Sequence, residues 1–69
     1  MENIKITTDY IRLDDLLKLA GLVSTGGHAK FVIQNGEVLV DNEICTQRGK
    51  KLRENQVVKF DGEEFLIIK

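Results

Sequence analysis

Two adjacent glycines, Gly26 and Gly27, are followed directly by His28, the only histidine of the chain. Glycines bind phosphate in nucleotide-binding loops, and histidine serves as a metal ligand or a catalytic base. Gly21 and Gly26 have the spacing of a P-loop, but Gly27 stands where that motif requires lysine, and a predicted helix precedes it instead of a strand. The dinucleotide-binding pattern Gly-x-Gly-x-x-Gly is also absent. Both nucleotide-binding motifs are therefore excluded.

Metal and catalytic sites are poorly supported, because His28 and Cys45 are each the only residue of their type. Metal sites need several such ligands, so we expect no metal and no cofactor. Nucleophilic catalysis also needs an orienting third group and a closed pocket, for which 69 residues leave little room. Asp14 and Asp15 are interpreted as structural first-turn residues, because adjacent helical side chains point about 100° apart. The sequence predicts a protein that is not an enzyme.

Length and composition favour one small domain, residues 1–69, with a marginal hydrophobic core. The single Cys45 cannot form an internal disulfide, which is typical of a reducing compartment. No segment has the pattern of a signal peptide or the apolar length of a membrane span. We therefore expect a cytoplasmic, monomeric protein that makes no contact with a membrane.

Charge is unevenly distributed although the formal net charge is only −1. Asp61, Glu63 and Glu64 crowd a turn near the C-terminus, whereas residues 44–53 contain no acidic residue. The basic residues of that segment are Arg48, Lys50, Lys51 and Arg53. The segment is either an ordinary solvated loop or the contact for a polyanion such as nucleic acid. The sequence predicts a basic side and an acidic side.

The elements that must position these residues begin with a short strand around Ile4 and Ile6, followed by two helices. In the first helix, leucines and alanine recur at helical spacing over residues 13–20, and Gly21 provides a C-terminal cap. The second helix is predicted to begin at Ser24 or Thr25, whose hydroxyl can accept a backbone N–H. Asn35 and Gly36 are predicted to end it. Its predicted inner face consists of Ala29, Val32 and Ile33.

The remainder of the chain is predicted to form antiparallel strands. Residues 37–40 and 43–46 flank a turn at Asp41–Asn42, and a loop follows them. Asp61–Gly62 lies between the apolar segments 56–60 and 63–69, which is the strongest short-range signal for a hairpin. The predicted fold class is α+β, with two short packed helices on a small, curved, mostly antiparallel sheet.

The start of the second helix is a candidate anion site. Gly26 and Gly27 leave its first backbone N–H groups accessible, and Lys30 and Gln34 are predicted to share a face with Gly26. The alternative is that the glycines permit close helix packing. Phe31 lies off the predicted inner face and is expected either to stack on a base or to cover the edge of the sheet.

The segment "RLDDLLKLAGLVSTGGHAKFVIQNGEVLVDN" resembles the RNA-binding domain named after ribosomal small-subunit protein four, the S-four domain or αL motif. Gly26 departs from the pattern, because the family commonly has arginine there. The "STGGHAK" version, followed by "QRGKKL", resembles a subgroup of free-standing bacterial single-domain members. The positions that match the family pattern without a gap are Arg12, Leu13, Asp14, Leu17, Thr25, Ala29, Lys30, Ile33, Gly36, Val38 and Val40.

The resemblance implies the αL-motif fold and RNA binding without catalysis. It implies a structured partner, ribosomal or transfer RNA, in ribosome assembly on a ribosomal subunit or in translation quality control. The predicted RNA-binding residues are Arg12, Gly26, Gly27, His28, Lys30, Gln34, Arg48, Lys50 and Lys51. Two other classes stay open, namely a DNA-binding helix-turn-helix protein and a protein-interaction module that binds no nucleic acid.

Overall fold

Two helices and the strands of a five-stranded sheet share one hydrophobic core in the computed structural model, which describes residues 1–69. The helices are α1 (Leu13–Leu19) and α2 (Gly26–Gln34). The strands are β1 (Glu2–Lys5), β2 (Ile11–Arg12), β3 (Val38–Val40), β4 (Glu43–Ile44), β5 (Lys51–Leu52), β6 (Val57–Phe60) and β7 (Glu63–Ile68). This architecture confirms the predicted α+β class.

Helix α2 begins and ends as its sequence predicts. The Thr25 hydroxyl accepts the His28 backbone N–H at 3.1 Å, which caps the helix at its start. Gly36 follows the last turn with a φ of +77°, the left-handed conformation that closes a helix. The predicted inner face is confirmed, because the buried residues of this helix are Ala29, Val32 and Ile33.

Helix α1 begins without a side-chain cap, because its first residues follow β2 directly. Two backbone carbonyls of a distant loop replace the cap. The Leu13 N–H donates to the Lys50 carbonyl at 2.9 Å, and the Asp14 N–H donates to the Arg48 carbonyl at 3.0 Å. The start of α1 is therefore fixed to the basic segment of the chain.

The large sheet has the strand order β1-β7-β6-β3-β4. Its neighbours are antiparallel except β1, which pairs with β7 in parallel. Both predicted two-residue turns are present, with φ of 50° and 70° at Asp41 and Asn42, and 54° and 80° at Asp61 and Gly62. Positive φ at both central residues suits the twist of a hairpin.

Alternate residues along the strands bury one face of the sheet against the helices. Val38 and Val40 of β3 share the core with Val58 and Phe60 of β6. The predicted strand over 43–46 is shorter, since only Glu43 and Ile44 pair with β3. The second helix leads into this sheet and not into a third helix, unlike a helix-turn-helix domain.

Candidate nucleic-acid interface

The basic loop, which we define as residues 47–53, is held against the start of α1. Strand β5 pairs with β2, with Lys51 opposite Arg12. The carbonyls of Arg48 and Lys50 accept the first two amides of α1. The side chains of this loop remain solvent-exposed except Leu52, which is buried in the core. The fold thus brings together four of the predicted site residues, Arg12, Arg48, Lys50 and Lys51.

Arg12 is oriented by a neighbouring carboxylate. Its Nη2 lies 3.2 Å from Oδ2 of Asp14, whose other oxygen, Oδ1, accepts the Asp15 backbone N–H at 2.9 Å. A Cβ added at Gly49 would lie 3.5 Å from the same guanidinium nitrogen, so the Arg12 side chain passes close to the loop backbone. The Arg12 side chain is 47% exposed, and most of its five N–H donors have no partner in the chain. A fixed, half-exposed guanidinium is suited to binding phosphate.

Tyr10 packs against the basic loop, and the sequence singled out neither Tyr10 nor Arg53 for the site. The Tyr10 ring has the Lys51 Nζ at 5.0 Å and the Arg53 Cζ at 5.7 Å from its centroid. Arg53 Nη1 also donates to the Asp9 carbonyl at 3.4 Å. Residues 51 and 53 are two apart in an extended segment and therefore share a face, which brings both cations to the same ring. Tyr10 thereby holds two cations of the loop in place.

The start of α2 leaves two backbone donors free. The Thr25 hydroxyl accepts the N–H of His28, and the Thr25 carbonyl accepts that of Ala29. The N–H groups of Gly26 and Gly27 have no partner in the chain, because the first N–H groups of a helix have no carbonyl of a preceding turn to bond. A Cβ at Gly26 would meet nothing within 4 Å, and one at Gly27 would approach only the Thr25 hydroxyl, at 4.0 Å. Neither glycine has a positive φ. The alternative that they permit close helix packing is therefore wrong.

The outward face of α2 carries side chains without partners. His28, Lys30 and Gln34 are exposed, and their side chains form no hydrogen bond or ion pair within the chain. Phe31 is 64% exposed, so the expectation that it covers the sheet edge is wrong. The geometry leaves this face free for a partner.

The basic loop and α2 are two separate groups of site residues. No hydrogen bond or ion pair joins them, and α1 lies between them as the element that contacts both. That both groups face the same partner remains a prediction. Four acidic residues lie away from the basic loop, since Glu37, Asp61, Glu63 and Glu64 line one shallow depression that includes no residue of that loop. Asp41 and Glu43, in contrast, line a depression together with Lys50.

Other functional groups are not assembled into sites. Cys45 is a free, half-buried thiol whose Sγ lies 3.7 Å from the Gln47 carbonyl oxygen, and no contact joins it to His28. No group of three or more His, Cys, Asp or Glu side chains is arranged to hold a metal ion. Neither helix has the length and apolar character needed to cross a membrane.

Comparison with known proteins decides the family. The family model described as the S4 domain matches residues 4–68. The chain belongs to the S4 domain family. This confirms the resemblance to the S-four domain, and with it the prediction that the protein is not an enzyme.

Two bacterial relatives of this S4 domain cover most of the chain. One is named as a probable ribosome maturation protein, RlbA of Bacillus subtilis, and is 42% identical over 59 residues, which are 86% of this chain and 83% of the relative. The other, YbcJ of Escherichia coli, is 36% identical over 59 residues, with 86% of this chain and 84% of the relative covered.

The solved structure of YbcJ confirms the predicted αL-motif fold. That solution structure is described as containing an αL motif involved in RNA binding. Superposition gives a TM-score of 0.76 at 31% identity and covers 100% of this chain and 89% of YbcJ.

Proposed function

We propose that this S4 domain is a non-catalytic RNA-binding module that contacts the phosphate backbone of structured RNA. The observation that carries the proposal is the pair Gly26 and Gly27, whose unpaired amides lie at an open helix start where the fold itself does not require glycine. The description of YbcJ as an RNA-binding αL motif supports the same function.

The basic loop supplies the electrostatic part of the interaction. Arg12, Arg48, Lys50 and Lys51 are exposed cations on adjoining segments, and none is neutralised by a carboxylate except Arg12, through Asp14. Arginine and lysine at such positions replace the counterions that surround RNA phosphates. Because the major groove of A-form RNA is too deep and narrow for side chains to read its base edges, this surface reads the shape and phosphate spacing of a folded RNA.

The start of α2 supplies a second, more directional contact. The N–H groups of Gly26 and Gly27 point out of the helix start, where the helix dipole favours an anion by roughly 0.3–1 kcal/mol. Lys30 follows one turn later and adds a charged contact to a neighbouring phosphate oxygen. Without the arginine common in the family at position 26, the backbone approaches the phosphate more closely.

The RNA we propose is ribosomal or transfer RNA, and the setting is ribosome assembly or translation quality control. The naming of RlbA as a probable ribosome maturation protein supports the ribosomal alternative. We further propose that the chain acts as a cytoplasmic, monomeric single domain that joins a ribosomal subunit or its precursor.

Charge reversal on α2 tests the proposal. We expect Lys30→Glu to weaken binding to a folded ribosomal RNA fragment at least tenfold, measured by fluorescence anisotropy. The control is Lys59→Glu, which makes the same charge change on β6, beside the acidic residues of the C-terminal turn. Equal losses in the two variants would contradict a surface on α2. Duplex DNA is added as competitor, and preferential binding of DNA would overturn RNA as the partner.

A further inference from the structure

Phe31 is an exposed aromatic residue that the phosphate contacts leave unexplained. It lies on the solvent face of α2 with 64% of its surface exposed, although aromatic rings are usually largely buried. A single exposed apolar side chain is common in proteins and by itself indicates no site. Its surroundings decide what it can bind.

A shallow depression of about 210 Å³ lies beside the ring and is lined by Phe31, Gln34 and Asn35. The Gln34 amide has no partner in the chain, so its N–H donors and its carbonyl oxygen are free. The Asn35 Nδ2 donates to Glu37 Oε2 at 3.0 Å, which fixes that amide and leaves its oxygen free to accept. An aromatic plane flanked by free amide donors and acceptors matches a nucleobase, which offers a π face and a polar edge.

The depression adjoins the proposed phosphate contact. Gly27 precedes Phe31 by four residues and Gln34 follows it by three, so all three share one face of α2. Gly27 is four residues, about one helical turn, from Phe31, which is about 6 Å along the axis. A nucleotide whose phosphate is bound at the free glycine amides therefore has its own base, or that of its neighbour, within reach of the ring.

We propose that Phe31 and Gln34 form a site for one unpaired nucleobase, with the ring stacking on the base and the Gln34 amide bonding its edge. The inference rests on the proposed RNA binding and specifies its substrate as a helical RNA with a bulged or looped-out nucleotide. A base paired within an A-form helix cannot reach the ring, because it remains stacked on its neighbours. Phosphate contacts alone carry no sequence information, so this site supplies the selectivity of the surface.

Two RNA hairpins that share one stem test the proposal. The stem of each is closed by a non-nucleotide linker so that no loop base is present, and one hairpin is fully paired whereas the other carries a single bulged 2-aminopurine. We expect Phe31→Ala to weaken binding to the bulged hairpin roughly 5- to 150-fold, the range measured for the loss of one stacked base, and to leave the paired hairpin unaffected. Leu19→Ala is the control, because Leu19 is 60% exposed on α1 and should not alter binding to either RNA.

Two substitutions at position 31 distinguish stacking from general apolar contact. Phe31→Trp retains a stacking plane, and because the chain has no other tryptophan, its fluorescence reports the contact directly. We expect the bulged hairpin, but not the paired one, to quench that fluorescence, and the 2-aminopurine emission to change with it. Phe31→Leu should lose most of the preference for the bulged hairpin.

The results separate this inference from the proposed function. Equal binding of both hairpins by the wild-type protein, or full affinity of Phe31→Leu for the bulged one, overturns the base site while RNA binding stands. Unchanged RNA affinity in all three Phe31 variants removes the ring from the RNA surface and likewise overturns it. Failure of the wild-type protein to bind either hairpin or any ribosomal RNA fragment overturns both proposals.

Discussion

At the residue scale, the two glycines at the start of α2 are residues that lower the stability of the helix although the fold does not require them. Glycine in a helix costs roughly 0.5–1 kcal/mol relative to alanine, because it loses more backbone freedom on folding. The structure shows open space where a Cβ would lie at Gly26 and only a 4.0 Å neighbour at Gly27. If the proposed function is correct, the requirement for glycine comes from an RNA phosphate that approaches the backbone.

Substitution of both glycines by alanine should therefore affect stability and binding in opposite directions. We expect Gly26→Ala with Gly27→Ala to raise the free energy of unfolding by up to roughly 1 kcal/mol, equivalent to a rise of roughly 4–8 °C in Tm. The same variant should bind folded RNA more weakly, because two methyl groups keep the phosphate from the amides. Thermal denaturation and anisotropy measure the two effects. A more stable variant with unchanged affinity would remove these glycines from the interface.

Individual residues of the site were predictable where one residue type allows few roles. Thr25 can cap a helix, so the sequence alone predicted the start of α2, and the structure confirms it. That Gly26, Gly27 and Lys30 contact RNA there remains a prediction. The stack of Lys51 and Arg53 on Tyr10 was not predicted, because it joins residues more than forty positions apart in the chain. Only the tertiary fold reveals such a contact.

At the element scale, the sequence predicted those pieces whose signal is local. The β6–β7 hairpin follows from Asp61–Gly62 between two apolar segments, and α2 follows from its cap and its apolar face. The pairing of β2 with β5 was missed, because two-residue strands such as Ile11–Arg12 are too short to show a periodicity. Parallel pairing of β1 with β7 joins the two ends of the chain and has no turn signal at all.

The β3–β4 turn is held by Asp41, whose carboxylate bonds to β6. The Val57 N–H donates to Asp41 Oδ1 at 2.9 Å, and the Gln56 side chain donates to Oδ2 at 3.0 Å. These two hydrogen bonds lower the pKa of Asp41 below its ordinary value of 3.8, and the bond from Val57 has the larger effect. A carboxylate whose pKa falls on folding stabilises the protein above its ordinary pKa, and this contribution is lost as the pH falls through the lowered value.

Asp41→Asn should consequently be less stable than the wild-type protein at neutral pH. Asparagine tolerates the φ of 50° and keeps an acceptor for Val57, but its NH2 group replaces the oxygen that accepts from Gln56, so the variant removes the charge and that hydrogen bond. We expect the difference in Tm between the two proteins to shrink as the pH falls below 3.8. Asp61→Asn is the control, since Asp61 occupies a similar turn with a φ of 54° and its side chain forms no hydrogen bond. A Tm difference for Asp41→Asn that is constant with pH would contradict this role.

At the scale of the whole molecule, a net charge of −1 conceals an uneven distribution of charge. The basic loop adjoins the start of α1, whereas Glu37, Asp61, Glu63 and Glu64 line a depression at the β6–β7 turn. An uneven distribution of this kind orients a protein toward a polyanion even when its total charge does not attract one. Net charge is thus a poor guide to function for a domain of this size, and the position of the charges is the better one.

The salt dependence of RNA affinity shows whether binding depends on individual phosphate contacts or on the total charge of the protein. Each phosphate contact contributes roughly 0.7–0.9 to the slope of log affinity against log salt concentration. We expect Lys50→Ala with Lys51→Ala to flatten that slope by up to about two units. Both side chains are exposed, so Tm should fall only by the small amount due to the lost contact of Lys51 with Tyr10, which is worth roughly 0.5–1 kcal/mol at an exposed site.

The matched control changes the total charge equally far in the opposite direction. Glu63→Gln with Glu64→Gln removes two negative charges from the acidic depression. If the RNA is bound by the basic loop, this variant gains some affinity at low salt through the long-range field but keeps the wild-type slope, because it adds no phosphate contact. A steeper slope for the glutamine variant would extend the interface to the C-terminal turn, and an unchanged slope for the alanine variant would remove the basic loop from it.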